Sequence, residues 1–373
     1  MDKLRLGIIG LGGQGRLYAD RLQRGLIENA VLTAVWNRSE EGREWARKNL
    51  GTGVTVYENL DLMLGSGGID AVIICVPHFL HPEFAIKAFE NGLHVLLEKP
   101  AGVTASSVEE MNEVAAKSGK TFALLWNLRA WPVYRKLKAF LVSGELGGIR
   151  RVMWITTNWY RTQYYYDSGS WRATWRGEGG GVLVNQCSHN LDMLQYLAGM
   201  PESVHAFCRY GVHRDIEVEN DVTAYFTFPN GAVGSFIAST YEFPGTNRLE
   251  ISGENGKVVL EDGRLVFFKS SVNETAFNET NSSLYEMPVA TPVELKPEND
   301  EREDCVVLIQ NFANAVLKGE ELLCPGTEGV NEVRLCNAIQ LSDWTGRAVD
   351  PIKMDTEEYD RLLRERIEIS KKI

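Results

Sequence analysis

Residues 4–15 read LRLGIIGLGGQG, a short apolar run that delivers Gly10, Gly12 and Gly15 just ahead of a helix-like segment. Strand, glycine turn and helix in that order are what a dinucleotide-binding βαβ unit requires. The first glycine permits the tight turn, the second lets the backbone approach a pyrophosphate, and the third lets helix and strand pack closely. The helix N-terminus then offers its unpaired N–H groups to the phosphates, with Gly13 and Gln14 completing the turn. Further apolar runs at Val31-Trp36, Val54-Tyr57, Ala71-Val76, His94-Leu97 and Thr121-Leu125 alternate with helix-length segments. That is the pitch of a parallel α/β sheet. The run AVIICV lacks polar alternation, as expected of a strand covered on both faces. Residues 1–126 therefore predict a doubly wound parallel sheet that binds a dinucleotide.

Beyond residue 126 the pattern changes to longer alternating strands, at Arg151-Tyr160, Ser203-Tyr210, Asp221-Phe228, Ala232-Tyr241, Arg248-Ser252 and Lys257-Glu261. Asn230-Gly231 joins two of them as a hairpin. Helices are expected near 182–198, 303–318, 327–346 and 355–371, and residues 271–300 read as a long polar loop. Residues 127–373 thus predict an α+β domain with a large open, mostly antiparallel sheet. A chain of 373 residues suits two domains better than one core.

The formal charge of −11 disfavours phosphate backbones and anionic membranes as partners. No stretch has the eighteen or more apolar residues of a membrane span. The start MDKLRLGIIG leaves no room for a signal peptide, and six scattered cysteines without a C-x-x-C pair suit a reducing compartment. A cytoplasmic location is expected. On that reading the three sequons at Asn273, Asn278 and Asn281 are loop polarity. No His, Cys or carboxylate cluster has zinc spacing, so no catalytic metal is expected.

In a NAD site the second strand ends in an acidic residue that accepts from the ribose hydroxyls. Here Val31-Trp36 runs into Asn37, Arg38 and Ser39. Asn37 and Ser39 can donate to a phosphate and Arg38 adds a fixed charge, so the trio leans towards the 2′-phosphate of NADP. The alternative is NAD, with Arg38 on the adenine or in solvent. Val76-Pro77 and His81, just past the fourth strand, and Glu98-Lys99-Pro100, just past the fifth, fall where a doubly wound sheet binds its ligand. His81 also reads as a neighbour of a helix start. Proline after Lys99 restrains the backbone, so the ammonium projects in a controlled direction. Asn185, His189 and Asp192, at i, i+4 and i+7, are expected on one helix face, although a helical histidine alone reads as a satisfied core residue.

Together GLGGQG, the run VPHFLHPEFAIKAFENGLHVLLEKP and the N-x-x-x-H-x-x-D segment resemble the Gfo/Idh/MocA oxidoreductases, the glucose-fructose oxidoreductase and inositol dehydrogenase superfamily. The resemblance covers nearly the whole chain and is strongest over 4–130 and 177–200. It implies an N-terminal Rossmann domain holding NAD(P), and a second domain whose sheet faces a sugar or cyclitol with a secondary hydroxyl to oxidise. By position it implies that Lys99 and His189 are catalytic. The residue four before the histidine is Asp in inositol-dehydrogenase-like members; this chain has Asn185, which can orient a hydroxyl but carries no charge. The mechanism implied has His189 as general base and Lys99 stabilising the developing alkoxide, with Asn185 holding the neighbouring hydroxyl.

Between Trp154 and Trp175 eight of 22 residues are aromatic, where about two would be expected from average usage. Arg161, Arg172 and Arg176 are interleaved. Aromatic faces suit the C–H faces of pyranose rings, while Tyr hydroxyls and guanidinium forks bond sugar hydroxyls. Candidate substrate residues are therefore Tyr160, Arg161, Tyr165, Trp171, Arg172 and Trp175, with Asn127 and Arg129 after the last N-terminal strand joining Lys99, Asn185 and His189. Arg129 reads equally well as a domain-interface charge, and Trp154 reads as core. The stretch WRATWRGEGGGVLVNQ is similar to family members acting on hexosides or free hexoses, including glycoside 3-dehydrogenases. Two other readings remain: a redox-neutral glycosidase with trapped NAD, and a non-enzymatic dinucleotide sensor. Edge-forming antiparallel strands suggest a homodimer or homotetramer.

Overall fold

The computed structural model describes residues 3–370, which divide into two compact units, 3–130 with 301–333, and 131–300 with 334–370. The boundary expected at 126/127 lies four residues early, and 301–333, expected in the second domain, belongs to the first unit.

In the first unit six strands, β1 (Leu4–Ile9), β2 (Ala30–Trp36), β3 (Thr55–Tyr57), β4 (Ala71–Ile74), β5 (His94–Leu97) and β6 (Phe122–Leu124), form a parallel sheet. Their order is β3-β2-β1-β4-β5-β6. The chain reverses its direction of winding between β1 and β4, which makes the carboxyl ends of those strands the natural ligand crevice. All four residues of β4 are fully buried, as helices on both faces demand. Helix Asp304–Lys318 returns to this unit because its stripe from Cys305 to Ala313 joins the same apolar core as β1 and β4. Its spacing identified a helix; nothing local showed which core it would enter.

The second unit carries eight strands: β7 (Ile149–Thr156), β8 (Ser203–Tyr210), β9 (Glu219–Thr227), β10 (Val233–Ser239), β11 (Asn247–Gly253), β12 (Gly256–Glu261), β13 (Arg264–Ser270) and β14 (Ala290–Glu294). The order is β14-β13-β12-β11-β7-β10-β9-β8, antiparallel except for the β7–β10 pair. One face is buried through Val152, Trp154, Phe226 and Phe236; on the other, Met153, Phe207 and Tyr225 are exposed. Helix Pro132–Val142 packs on the buried face, with Tyr134 against Trp154 and Phe140 against Phe267. Edge strand β8 gives its Ala206 and Cys208 N–H groups to the side chains of Ser342 and Asp343, which closes that edge to further pairing.

Three local expectations change. The strand expected to reach Tyr160 stops at Thr156, because Arg161 N–H goes instead to the Thr240 carbonyl and the aromatic stretch peels off the sheet. The loop expected at 271–300 contains helix Glu274–Thr280, capped by Asn273, and strand β14. Asp262-Gly263, both at positive φ, is the two-residue hairpin turn that leads into β13. Finally, the helix expected from 182 begins only at Ser188.

Candidate active site

The cofactor half is built at the carboxyl ends of β1, β2, β4 and β5. Gly10 adopts φ 97°, and a Cβ on Gly15 would lie 1.9 Å from the Gly10 carbonyl oxygen, so turn and helix touch through backbone alone. Gly12, Gly13 and Gln14 are exposed. A Cβ on Gly12 or Gly13 would meet nothing within 4 Å, and no side chain caps helix Gly13–Gln23. An open backbone surface at a helix N-terminus fits the pyrophosphate of a dinucleotide. Arg16 braces the turn from behind, donating to the Leu11 carbonyl at 2.9 Å while its guanidinium lies 4.7 Å over the Trp45 ring.

Asn37 does not have the role expected of it. Its Oδ1 accepts from Leu11 N–H at 2.9 Å and its Nδ2 donates to Ser39 Oγ and to the Ser39 carbonyl, at 2.9 and 3.3 Å. The amide is spent in tying the glycine turn to the end of β2, with no donor left for a phosphate. Ser39 caps helix Glu40–Asn49. Arg38 is exposed and is the one member of the trio that brings a charge.

His81 is also a correction. It is 1% exposed, and its ring nitrogens lie 2.7 and 2.8 Å from the Pro100 and Val76 carbonyl oxygens, so it clamps the loops after β4 and β5 together rather than touching a ligand. Burial pushes its pKa down to about 4, against the pull of the two carbonyls. Glu98 is likewise buried. It accepts from the Tyr18 hydroxyl and, at 3.0 Å, from Lys99 N–H. Burial raises its pKa, with the Tyr18 hydrogen bond and the Lys99 charge pulling the other way. Glu98 thus anchors the backbone of Lys99, whose side chain is half-buried. Val76 and Pro77 follow β4 at the same end, and Asn127 opens a short helix after β6. Arg129, expected as a substrate or interface charge, is buried and paired with Glu328 at 2.5 Å within its own unit.

The residues expected to bind substrate that lie in the second unit centre on Tyr165. Its hydroxyl oxygen takes Arg172 Nη1 at 2.9 Å, Gln186 Nε2 at 3.2 Å and Asn185 Nδ2 at 3.5 Å. Arg161 and Arg172 lie 5.0 and 4.6 Å over its ring, and each also covers a tryptophan, Trp159 and Trp171 respectively. Tyr160 stands at the rim, with Arg214 over it and Phe243 beside it. Trp175 is a correction: it is 5% exposed and packs against Trp344 and Tyr210, so it belongs to the core.

Asn185 is not on the helix that carries His189. It sits in the turn that leads to helix Ser188–Ala198, while His189 occupies that helix's first turn and Asp192 is buried, taking Gln195 Nε2 at 3.1 Å. The turn is shaped from below. The Glu219 carboxylate accepts the N–H groups of Gly181 and Leu183, at 2.8 and 3.3 Å. A Cβ on Gly181 would fall 1.9 Å from the Glu219 carbonyl oxygen, which explains the glycine there. The backbone donors and Gln340 only partly offset burial, which raises Glu219 to about 7. Glu178, also buried, accepts from Asn185 Nδ2 and, at 2.6 Å, from Ala173 N–H. Glu178, Gln186, Glu219 and Tyr18 escaped the sequence reading. Only Glu178 had a signal, as the one carboxylate inside the glycine run GEGGG.

Among the described residues no group of three His, Cys, Asp or Glu is placed to hold a metal ion, and no helix is long and apolar enough to cross a membrane. Within the second unit an imidazole, amides and guanidinium groups are chemistry for binding hydroxyls and moving a proton; the first unit, by itself, offers the Lys99 ammonium beside its nucleotide turn. Residues 4–125 match the oxidoreductase family with NAD-binding Rossmann fold, and residues 134–259 match the Gfo/Idh/MocA C-terminal domain. The myo-inositol 2-dehydrogenase of Thermotoga maritima is 26% identical over 266 residues, 70% of this chain and 76% of that protein. An NADP-dependent D-xylose 1-dehydrogenase of Haloferax volcanii is 26% identical over 93% of this chain and 99% of its own. The crystal structure of the WlbA dehydrogenase from Bordetella pertussis, in complex with NADH and UDP-GlcNAcA, superposes with a TM-score of 0.78 at 26% identity, covering 95% of this chain and 100% of that one. With residues 4–125 and 134–259 matched by the family's two domains, the chain is a member of the Gfo/Idh/MocA oxidoreductase family, an NAD(P)-binding oxidoreductase.

Proposed function

We propose that this enzyme oxidises a secondary hydroxyl of a sugar, glycoside or cyclitol, or reduces the corresponding ketone. The observation that carries the reading is the convergence of Arg172, Asn185 and Gln186 on the Tyr165 hydroxyl, with Trp159 and Trp171 beside the two arginines and Asn185 four residues before His189. Flat apolar rings edged by fixed donors and acceptors are the surface a polyhydroxylated ring requires. NAD(P), when bound, supplies the hydride acceptor at its nicotinamide. His189 takes the proton of the reacting hydroxyl, and Lys99, its backbone held by Glu98, stabilises the charge that develops on oxygen. Asn185 orients a hydroxyl. The lean towards NADP now rests on Arg38 and the Ser39 hydroxyl, since the Asn37 amide is engaged within the protein.

The test is a panel of sugars, glycosides and cyclitols offered with NAD+ and NADP+, following reduced nicotinamide and oxidised product together. Equal amounts of both are expected, with turnover lowered roughly 10²–10⁴-fold in His189→Ala and Lys99→Ala. Wild-type turnover in both variants would overturn the assignment, and release of an aglycone without reduced cofactor would point to a redox-neutral glycosidase. The exposed sheet face around Met153, Phe207 and Tyr225 is the surface we assign to a homodimer or homotetramer, to be checked by sedimentation.

A further inference from the structure

Three arginines of the second unit stand on its aromatic stretch without a counter-charge. Arg161 and Arg172 lie 5.0 and 4.6 Å over the Tyr165 ring, and Arg214 lies 5.3 Å over Tyr160. All three are half-buried, and among the described residues none of them forms an ion pair. By contrast half-buried Arg135 and Arg248 and buried Arg129 each have a carboxylate partner. The three give their hydrogen bonds to neutral groups only. Arg161 Nη1 goes to the Tyr160 carbonyl and Arg172 Nη1 to the Tyr165 hydroxyl, both at 2.9 Å; Arg214 Nε and Nη1 go to the Arg161 and His213 carbonyls, at 2.7 and 2.6 Å. Arg161 Nε is buried and has no acceptor.

A guanidinium stays charged at every working pH, so it cannot relieve burial by losing a proton as a lysine does. Taking such a charge partly out of water without a partner is unfavourable, and two like charges over one ring add to the strain. The chain has a net charge of −11 and therefore no shortage of carboxylates to pair them with. Left as they are, the three arginines gain most from an anion that arrives from outside. We propose that Arg161 and Arg172, with Arg214 at the rim, bind an oxyanion carried by the substrate, a carboxylate or a phosphate monoester, so that the sugar this unit takes is an acidic one. The planar fork of arginine matches either oxyanion. Trp159 and Trp171, each covered by one of the two arginines, lower the local polarity and so strengthen a charge-assisted bond made there. This deepens the proposed function and rests on it only in placing the substrate at this cluster.

The full chain, loaded with NAD(P)H, is titrated by calorimetry with matched sets of sugars in the gluco, galacto and manno configurations, each set holding the free hexose, the hexuronate and the hexose 6-phosphate. The same sets are assayed for turnover with NAD+ and NADP+. In at least one configuration an acidic member is expected to bind roughly 10- to 100-fold more tightly than its hexose, and whether the hexuronate or the phosphate does so identifies the anion. Arg161→Gln and Arg172→Gln are each expected to cut that preference about tenfold, whereas a purely structural role would weaken hexose and acid alike. Equal affinity within every set, or no binding by any member, would overturn the proposal, as would variants that keep the full preference. If neither variant folds, a roughly tenfold rise in ionic strength decides: several-fold weaker binding of the acid beside an unchanged hexose supports the site, and an equal response overturns it. Preferential binding of an acid without turnover of any sugar would uphold this site and refute the dehydrogenase reading, while turnover of hexoses with no preference for their acids would do the reverse.

Discussion

Replacing Glu219 by glutamine tests whether a buried carboxylate under the turn that leads to helix Ser188–Ala198 is held at a cost. Its folded-state pKa stands at about 7, with burial as the main cause, against an ordinary value of 4.5. A raised carboxyl pKa means that the folded state binds this proton more tightly than the unfolded chain does. Its contribution to stability is therefore fully present below about pH 4.5 and lost as pH rises to about 7, above which no further loss occurs. The difference between 4.5 and about 7 corresponds to roughly 3 kcal/mol at 1.36 kcal/mol per pH unit. The Glu219→Gln side chain keeps a carbonyl oxygen for the N–H groups of Gly181 and Leu183 and has no charge to bury. The variant should gain on wild type by about 3 kcal/mol between about pH 4.5 and 8, or roughly 6–12 °C in the transition of a unit of about two hundred residues. Calorimetry of both proteins across that pH range reads the difference directly, and groups common to both cancel. Stability curves that stay parallel throughout that range would show that Glu219 does not titrate as its burial dictates.

Gly12→Ala and Gly15→Ala should separate ligand space from protein packing. Alanine at 12 meets nothing in the protein, so the melting temperature should hold while nucleotide affinity falls about tenfold or more; alanine at 15 strikes the Gly10 carbonyl and should lower both. Identical behaviour in melting and NADH-fluorescence titrations would refute the distinction. Trp175→Ala should destabilise the second unit by about 3–5 kcal/mol through lost packing on Trp344 and Tyr210; a raised KM at unchanged stability would return Trp175 to the substrate pocket. Arg38→Ala should raise KM for NADP+ about tenfold with little change for NAD+, and equal changes in both would end the lean towards NADP.

Much of the nucleotide half was legible in LRLGIIGLGGQG and the apolar runs after it, because strand, turn and helix are local and their chemistry depends on residues a few positions apart. The E-K-P element and the aromatic stretch were legible for the same reason. Roles set by partners far along the chain were not. Asn37 looked like a phosphate donor until Leu11 and Ser39 claimed both ends of its amide, and His81 looked like a ligand contact until Val76 and Pro100 enclosed it. Trp175 and Arg129 moved from site to interior once Trp344 and Glu328 were found against them. Glu178 and Glu219 had gone unassigned, since a carboxylate in a string of letters carries no mark of burial. Periodicity and glycine spacing by themselves determine most of the elements, though not the helix and strand within 271–300, and which end of the parallel sheet takes a ligand. Tertiary structure alone decides which polar groups are already satisfied, because a hydrogen bond depends on distance in space, and here its two ends often lie tens to hundreds of residues apart.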